Sequence, residues 1–329
     1  MSVLGRQWLD ADPAARLIVL DTAPLDAAAL RYFAPVMDRL TMVVADVTRP
    51  ERWRDALVSH EISYVVHGAT VTPLSGGTVT EAKREPEADS PARIIEVNVM
   101  GTVAMLEWAR SQPSLRRFIY VSSGAVYKNH GPDRPGEPLP EDGYVLPRRL
   151  YGVSKFASEL ITERYAELFG LSIASVRLSS VYGPMDRVTA SRNFRHVPNQ
   201  IAHLAIAGAT RVRVNSLEGV GDYISSEDVA SAMIALLKAP ALRFATYNIA
   251  AGVTATLGDL ADWAAEKAPG FSVEVGPADQ VDIYQDDTLR DGMWGAYDIS
   301  RMAVDTGWKP RPVREALHAY MDWIAAQET

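Results

Sequence analysis

Five short runs, residues 16–21, 42–46, 64–67, 118–123 and 172–177, are rich in Val and Ile and apolar throughout rather than at alternate positions. Such runs predict strands covered on both faces, as in a parallel sheet. Between them the spacing turns helical. Ile94, Ile95, Val99, Val103 and Leu106 share one side of a helix expected over residues 91–111, and Phe156, Leu160 and Tyr165 do the same over 151–169. Strand then helix, repeated, predicts right-handed crossovers with helices on both faces: a doubly wound α/β fold. Past Tyr182-Gly-Pro184 the pattern changes to loops, an acidic stretch over 279–291, and helices expected over 226–237, 257–267 and 313–326. Segments inserted after the last strands of such a sheet cap the crevice at the strands' carboxyl ends. Residues 1–184 are therefore expected to form the sheet domain with the catalytic groups. Residues 185–329 are expected to be mainly a small substrate-binding subdomain, with elements returning to the core.

Composition narrows the partners. The chain has 329 residues, with 33 Lys plus Arg against 41 Asp plus Glu, a net charge of −8. That acidity argues against nucleic acid, whose phosphates require a clustered basic face. The nearest basic pair, Arg148-Arg149, reads as a solvated face or a small anion pocket. There is no Cys, so disulfides and thiolate sites are excluded, which fits a reducing compartment. The first residues carry Asp where a signal peptide needs an apolar core, and no run approaches the ~20 apolar residues of a membrane span. The expectation is a cytoplasmic protein with no membrane contact. The six His show no ligand spacing, and no metal is expected.

The sharpest chemical signal is Tyr151-Gly-Val-Ser-Lys155 at the opening of a helix, preceded by Ser122-Ser123 at the end of a strand. Helix positions i and i+4 lie on one face, so the Tyr151 hydroxyl and the Lys155 ammonium can enter one cleft. A phenol of pKa ~10 is a poor base at neutral pH, and a nearby cation favours its phenolate. With a Ser hydroxyl holding the substrate oxygen, the phenol can then exchange a proton there, which is general acid–base catalysis at an alcohol or carbonyl carbon. A surface Lys lying over a half-buried Tyr would show the same spacing.

The surrounding landmarks settle the family resemblance. Asn98-Val-Met-Gly-Thr102, Val121-Ser-Ser-Gly-Ala-Val-Tyr127, Tyr151-Gly-Val-Ser-Lys155, Val181-Tyr-Gly-Pro184, Asp222-Tyr-Ile-Ser-Ser-Glu-Asp-Val229 and Tyr247-Asn-Ile249 are similar, in order, to landmarks of the extended short-chain dehydrogenase/reductases, the NAD-dependent epimerase/dehydratase group. The resemblance covers nearly the whole chain. It implies a Rossmann-like fold, NAD as cofactor, and catalytic roles for Tyr151 (acid/base), Lys155 (its partner and nicotinamide-ribose ligand) and Ser123 (substrate hydroxyl), with Asn98 in the helix that supports the Lys155 side. Asp21 ends a strand where the family's acid accepts from the adenosine ribose and repels a 2′-phosphate, favouring NAD over NADP. Asp46-Val47 resembles the adenine-side pair and Gly68-Ala69 the turn beside the cofactor. Relatives dimerise through the two helices named above, which implies a homodimer in which Met105, Trp108 and Phe156 could serve as outward residues, although the same stripe could simply be core.

One departure stands out. The family opens with a buried strand and a Gly-x-x-Gly-x-x-Gly turn against the pyrophosphate. Here Gly5 matches the third glycine, Ser2 stands at the second, and the first glycine and its strand have no counterpart. In the order 3-2-1-4-5-6 that strand separates the one ending at Asp21 from the one ending at His67, so the first of these should take a substitute neighbour or face a gap. Three accounts are open: a natural start upstream of Met1, a short chain with weakened or lost NAD binding, or a non-catalytic relative. In the second, the Ser–Tyr–Lys group could still serve a cofactor-independent lyase or isomerase, by retro-aldol cleavage or dehydration. Ser180 and Gly221 stand where nucleotide-sugar enzymes of the family carry an Asn and a diphosphate-holding Arg. The expected substrate is therefore a small polyol, sugar acid or hydroxy-carbonyl compound, with Arg187, Arg192 and Arg195 available to hold a carboxylate.

Overall fold

A computed structural model describes residues 1–72, 86–127, 137–143, 145–188, 195–285 and 295–328. Its strands are β1 (Leu17–Asp21), β2 (Leu40–Val44), β3 (Tyr64–His67), β4 (Arg117–Ser123), β5 (Ile173–Leu178), β6 (Ser180–Tyr182), β7 (Val212–Val214), β8 (Val220–Gly221), β9 (Tyr223–Ser225), β10 (Thr246–Ile249), β11 (Ala255–Thr256) and β12 (Val273–Val275). The helices used below are α1 (Ser2–Ala11), α2 (Ala27–Phe33), α3 (Arg54–Leu57), α4 (Pro91–Ile95), α5 (Gly101–Ala109), α6 (Leu150–Phe169), α7 (Val197–Ile206), α8 (Ser226–Lys238), α9 (Leu257–Lys267), α10 (Ser300–Thr306) and α11 (Val313–Glu328). A π-helical turn, Glu96–Met100, joins α4 to α5 without a break.

The central layer is parallel, in the order β3-β4-β5-β10, while β1 and β2 pair only with each other. Strand β4 shows why this layer is apolar on both sides. Phe118 and Tyr120 enter one core with Trp53, Leu106 and Trp108, and Ile119 and Val121 enter the other with Val176, Met233 and Ile249. Alternate side chains of one strand thus feed two cores, as a sheet clothed on both faces requires. Helices α5 and α6 cover the first face, while α1 and α8 cover the second. A third core, built from α7, α9, α11 and β7, holds the substrate-side subdomain. No helix among the described residues is long and apolar enough to cross a membrane.

The expected gap is present. Strands β1 and β3 each have a hydrogen-bonded neighbour on one side only, and every residue of both lines one cleft of about 2400 Å³. Among the described residues no strand takes the place between them. The half-buried state of β1, where a central strand should be fully buried, follows directly. Met105 and Trp108, open from the sequence to either an outward or a core place, are core residues, with Trp108 set edge-on to Trp53. Phe156 packs beside Val126 and Tyr297. The exposed large apolar residues of these helices are Ile95, Met100, Val153, Leu160, Leu168 and Phe169.

Candidate active site

The cleft runs from the open edge of β1 past the carboxyl ends of β3 and β4 to β6 and β9. Ser123, Tyr151 and Lys155 all line it. Ser123 ends β4, and its hydroxyl accepts from the Ala125 amide (3.2 Å). Tyr151 and Lys155 lie one turn apart in the first half of α6, with the Lys155 Nζ 5.7 Å from the Tyr151 ring centre and 5.3 Å from that of Tyr120. Lys155 is 2% exposed and donates to the Val121 carbonyl (2.9 Å). Burial pulls its pKa down to about 7, against which the Glu159 charge acts. His67, at the end of β3, is held neutral: burial, then the Lys155 charge, push its pKa down to about 3.

Asn98 is placed elsewhere. It sits in the π turn, 1% exposed, and holds the chain after β3 by accepting from Val71 N (2.7 Å) and Thr70 Oγ1 (3.0 Å). Its amide donates to Val71 O (3.1 Å) and to Ser154 Oγ (2.9 Å) on α6. It therefore sets the distance between the β3 loop and the helix that carries Tyr151 and Lys155, without itself lining the cleft. A π turn is a common way of aiming one side chain off the helical repeat.

The cofactor-side residues line the same cleft: Gly5, Asp21, Asp46, Val47, Gly68 and Ala69. At Gly5 a Cβ would stand 2.6 Å from Leu17 Cδ2, the far end of a flexible side chain, so α1 packs closely on β1 at the place of the family's third glycine. Asp21 is exposed at the end of β1, with Ala23 N donating to its carboxylate (3.2 Å). Asp46 accepts from Thr48 and pairs with Arg93. Helix α1 starts at the cleft with no side-chain cap, and the Met1 side chain lies against Gly68. These residues fit the two ends of a dinucleotide. Of the pyrophosphate turn only Gly5 and the start of α1 are represented.

The three arginines are dispersed. Arg187 lines the cleft, but its guanidinium is bound to both oxygens of Asp26 (2.7 Å), which caps α2. Arg195 does not line the main cleft; with Arg187, Tyr320 and Trp323 it lines a smaller cavity of about 430 Å³. Arg192 lies outside the described residues. Arg148 and Arg149, read from the sequence as a solvated face or a small anion pocket, do line the cleft beside Tyr151. Ser180 and Gly221 line its far end, and a Cβ at Gly221 would stand 2.5 Å from the Tyr223 ring, so no side chain fits there.

Sequence reasoning missed a buried polar cluster behind the site. Glu159, eight residues after Tyr151, accepts from Ser122 Oγ and from Arg177 (Nη2 2.7 Å, Nε 3.0 Å). All three are at most 4% exposed. The readable signals were a third polar residue on the Tyr151–Lys155 face of the helix and a charge inside an apolar strand.

Comparison with known proteins agrees with this geometry. Residues 6–250 match the NAD dependent epimerase/dehydratase family, so the chain belongs to that family, a class of NAD-dependent oxidoreductases and epimerases. The GDP-6-deoxy-D-mannose reductase of Pseudomonas aeruginosa is 28% identical over 260 residues, 77% of this chain and 79% of that protein. The UDP-glucose 4-epimerase of Thermotoga maritima superposes with a TM-score of 0.76 at 20% identity, over 99% of this chain and 96% of that one. The L-threonine dehydrogenase of Cupriavidus necator does so with 0.76 at 22% identity, over 100% and 96%. At those identities the two structures speak for the fold alone.

Proposed function

We propose that this chain is an NAD-dependent oxidoreductase or epimerase acting at a hydroxyl-bearing carbon of a small polyol, sugar acid or hydroxy-carbonyl substrate. The observation that carries the reading is the convergence of Ser123, Tyr151 and buried Lys155 on one cleft. In this reading NAD, when bound, accepts or returns the hydride. Asp21 would hold its adenosine ribose, Asp46 and Val47 would flank the adenine, Gly5 and the start of α1 would face the pyrophosphate, Gly68 and Ala69 would lie alongside, and Lys155 would meet the nicotinamide ribose. Ser123 donates to the substrate oxygen and Tyr151 exchanges a proton with it. The Lys155 charge favours the tyrosinate, and its fixed place at the Val121 carbonyl keeps that charge from wandering. The lack of room for a side chain at Gly221 supports a substrate without a nucleotide diphosphate, and the cleft-side Arg148 suits a carboxylate better than Arg187, which is committed to Asp26, does. The reading includes residues 1–184 as the cofactor and catalytic domain and 185–329 as the substrate subdomain. It also includes a cytoplasmic homodimer, supported by the Cys-free sequence and by the exposed Ile95, Met100, Val153 and Leu160.

The gap beside β1 favours a second reading, a lyase or isomerase that works by proton transfer without nicotinamide. Titrating the purified protein with NADH, followed by fluorescence, alongside a screen of hydroxy acids and polyols separates the two. Binding together with NAD-linked turnover, lowered about 10²–10⁴-fold in Tyr151→Phe, is the expected result. Turnover with no binding at millimolar NAD overturns the oxidoreductase reading, and unchanged turnover in Tyr151→Phe overturns the acid–base assignment.

A further inference from the structure

We infer that Glu159 is a positioning residue: clamped by Ser122 and Arg177, its carboxylate locks the end of β4 to α6 and keeps the Lys155 ammonium in place behind Tyr151. The inference rests on the proposed use of Tyr151 and Lys155.

Three consecutive residues of β4 do three different things. The Val121 carbonyl accepts from Lys155, the Ser122 hydroxyl donates to Glu159, and Ser123 lines the cleft. Ser122 and Arg177 are cross-strand partners on β4 and β5, so their side chains leave the same face of the sheet. Glu159 meets both from α6, where Tyr151, Lys155 and Glu159 repeat every four residues along one side. The clamp therefore joins two strands to the catalytic helix, within one residue of the substrate serine and one turn of the lysine. It is closed on its far side as well: Arg177 Nη1 donates to the Glu141 carbonyl (2.9 Å), and its guanidinium lies 4.8 Å from the Tyr127 ring centre.

The charge arrangement separates this role from simple support. Lys155 is out of water with one hydrogen bond, so its charge depends on its neighbours. Facing it are neutral His67 on β3, the Tyr120 ring on β4, the Tyr151 ring on its own helix, and Glu159, with Arg177 on β5 behind that carboxylate. Glu159 attracts and Arg177 repels from farther away. Removing one or the other should therefore move Lys155 in opposite directions, whereas loosened packing would move it one way in both.

The chain has six lysines, few enough to resolve by NMR with 13C,15N-lysine in the full-length protein, with Lys155→Met giving the assignment. The titration midpoint of Lys155 is read in the parent, Glu159→Gln, Arg177→Met and the double variant, which removes both charges of the clamp together. A fall of about one pH unit in Glu159→Gln, tenfold in the acid constant, with a rise in Arg177→Met and a near-parental value in the double variant, is expected. Midpoints that stay within about 0.3 unit of the parent, or that shift the same way in both single variants, overturn the inference. If a single variant does not fold, the double variant decides on turnover: kcat lowered at unchanged KM in a folded protein supports positioning, and parental kcat refutes it. The NMR measurement uses neither substrate nor NAD. A moving Lys155 midpoint with undiminished Tyr151→Phe turnover would thus sink the catalytic reading while leaving the electrostatic link intact.

Discussion

The open edges of β1 and β3 make a prediction about amide exchange. In a parallel strand alternate residues direct their N–H and C=O groups to opposite neighbours. With five residues in β1 and four in β3, about four or five peptide units face the cleft instead of a strand. At about 1 kcal/mol net per hydrogen bond, closing the sheet would contribute about 4–5 kcal/mol that this arrangement lacks. The cleft-facing amides should exchange with almost no opening free energy, while those of β4, paired with both β3 and β5, approach the global stability of about 5–15 kcal/mol. Site-resolved hydrogen–deuterium exchange should show alternation along β1 and β3, with fast amides exchanging about a thousandfold or more faster than those in the middle of β4. Uniform protection of β1 and β3 at the β4 level would refute the reasoning, because it would mean that something pairs with both edges in solution.

Other expectations are more local. A methyl at Gly124 would lie 1.6 Å from the hydroxyl of buried Tyr297, which cannot withdraw, so Gly124→Ala should cost about 1–3 kcal/mol or more. At Gly5 the methyl meets only the mobile end of Leu17, so Gly5→Ala should lower the melting temperature less, and the reverse order in a thermal melt would contradict the packing described. Lys155 has its folded pKa lowered to about 7 from 10.5. The unfolded chain therefore binds the extra proton between those values, and the penalty of burying the charge grows as pH falls from 10.5 and is complete below 7. Lys155→Met should accordingly be more stable than the parent at pH 7, with the difference shrinking towards pH 10 in urea titrations; a difference independent of pH would mean that Lys155 is not desolvated.

The central strands were legible because a strand clothed on both faces must be apolar throughout, and residues 64–67 and 118–123 meet that demand without ambiguity. The gap was legible for the same reason in reverse: a sequence with no run before Asp21's own strand had nothing to place between Leu17–Asp21 and Tyr64–His67. Tyr151 and Lys155 were singled out by helical spacing and, with Ser123, by the family resemblance; the structure places all three along one cleft. What spacing could not supply was three-dimensional. More than one side of residues 94–109 is apolar, and only the packing shows that the buried side is the one carrying Ile94, Val97, Met105 and Trp108, with Asn98 bonded to Thr70 and Val71. Arg187 and Arg195 looked alike along the chain and both line the smaller cavity, but only Arg187 also reaches the main cleft, where Asp26 holds its guanidinium. Glu159 and Arg177 stayed hidden because a charged residue in a single sequence reads as surface until the partner that makes burial tolerable is seen.

The contact between Arg187 and Asp26 spans the lips of the cleft, joining the loop after β6 to the cap of α2. Both side chains touch solvent, and pairs of that kind hold together by about 0–1 kcal/mol. It acts as a hasp rather than a lock: thermal motion opens it continually, and any negatively charged visitor reaching that lip bargains with Asp26 for the same guanidinium. Salt, which screens an exposed pair of this kind, should loosen that lip well before it reaches the buried Glu159–Arg177 pair.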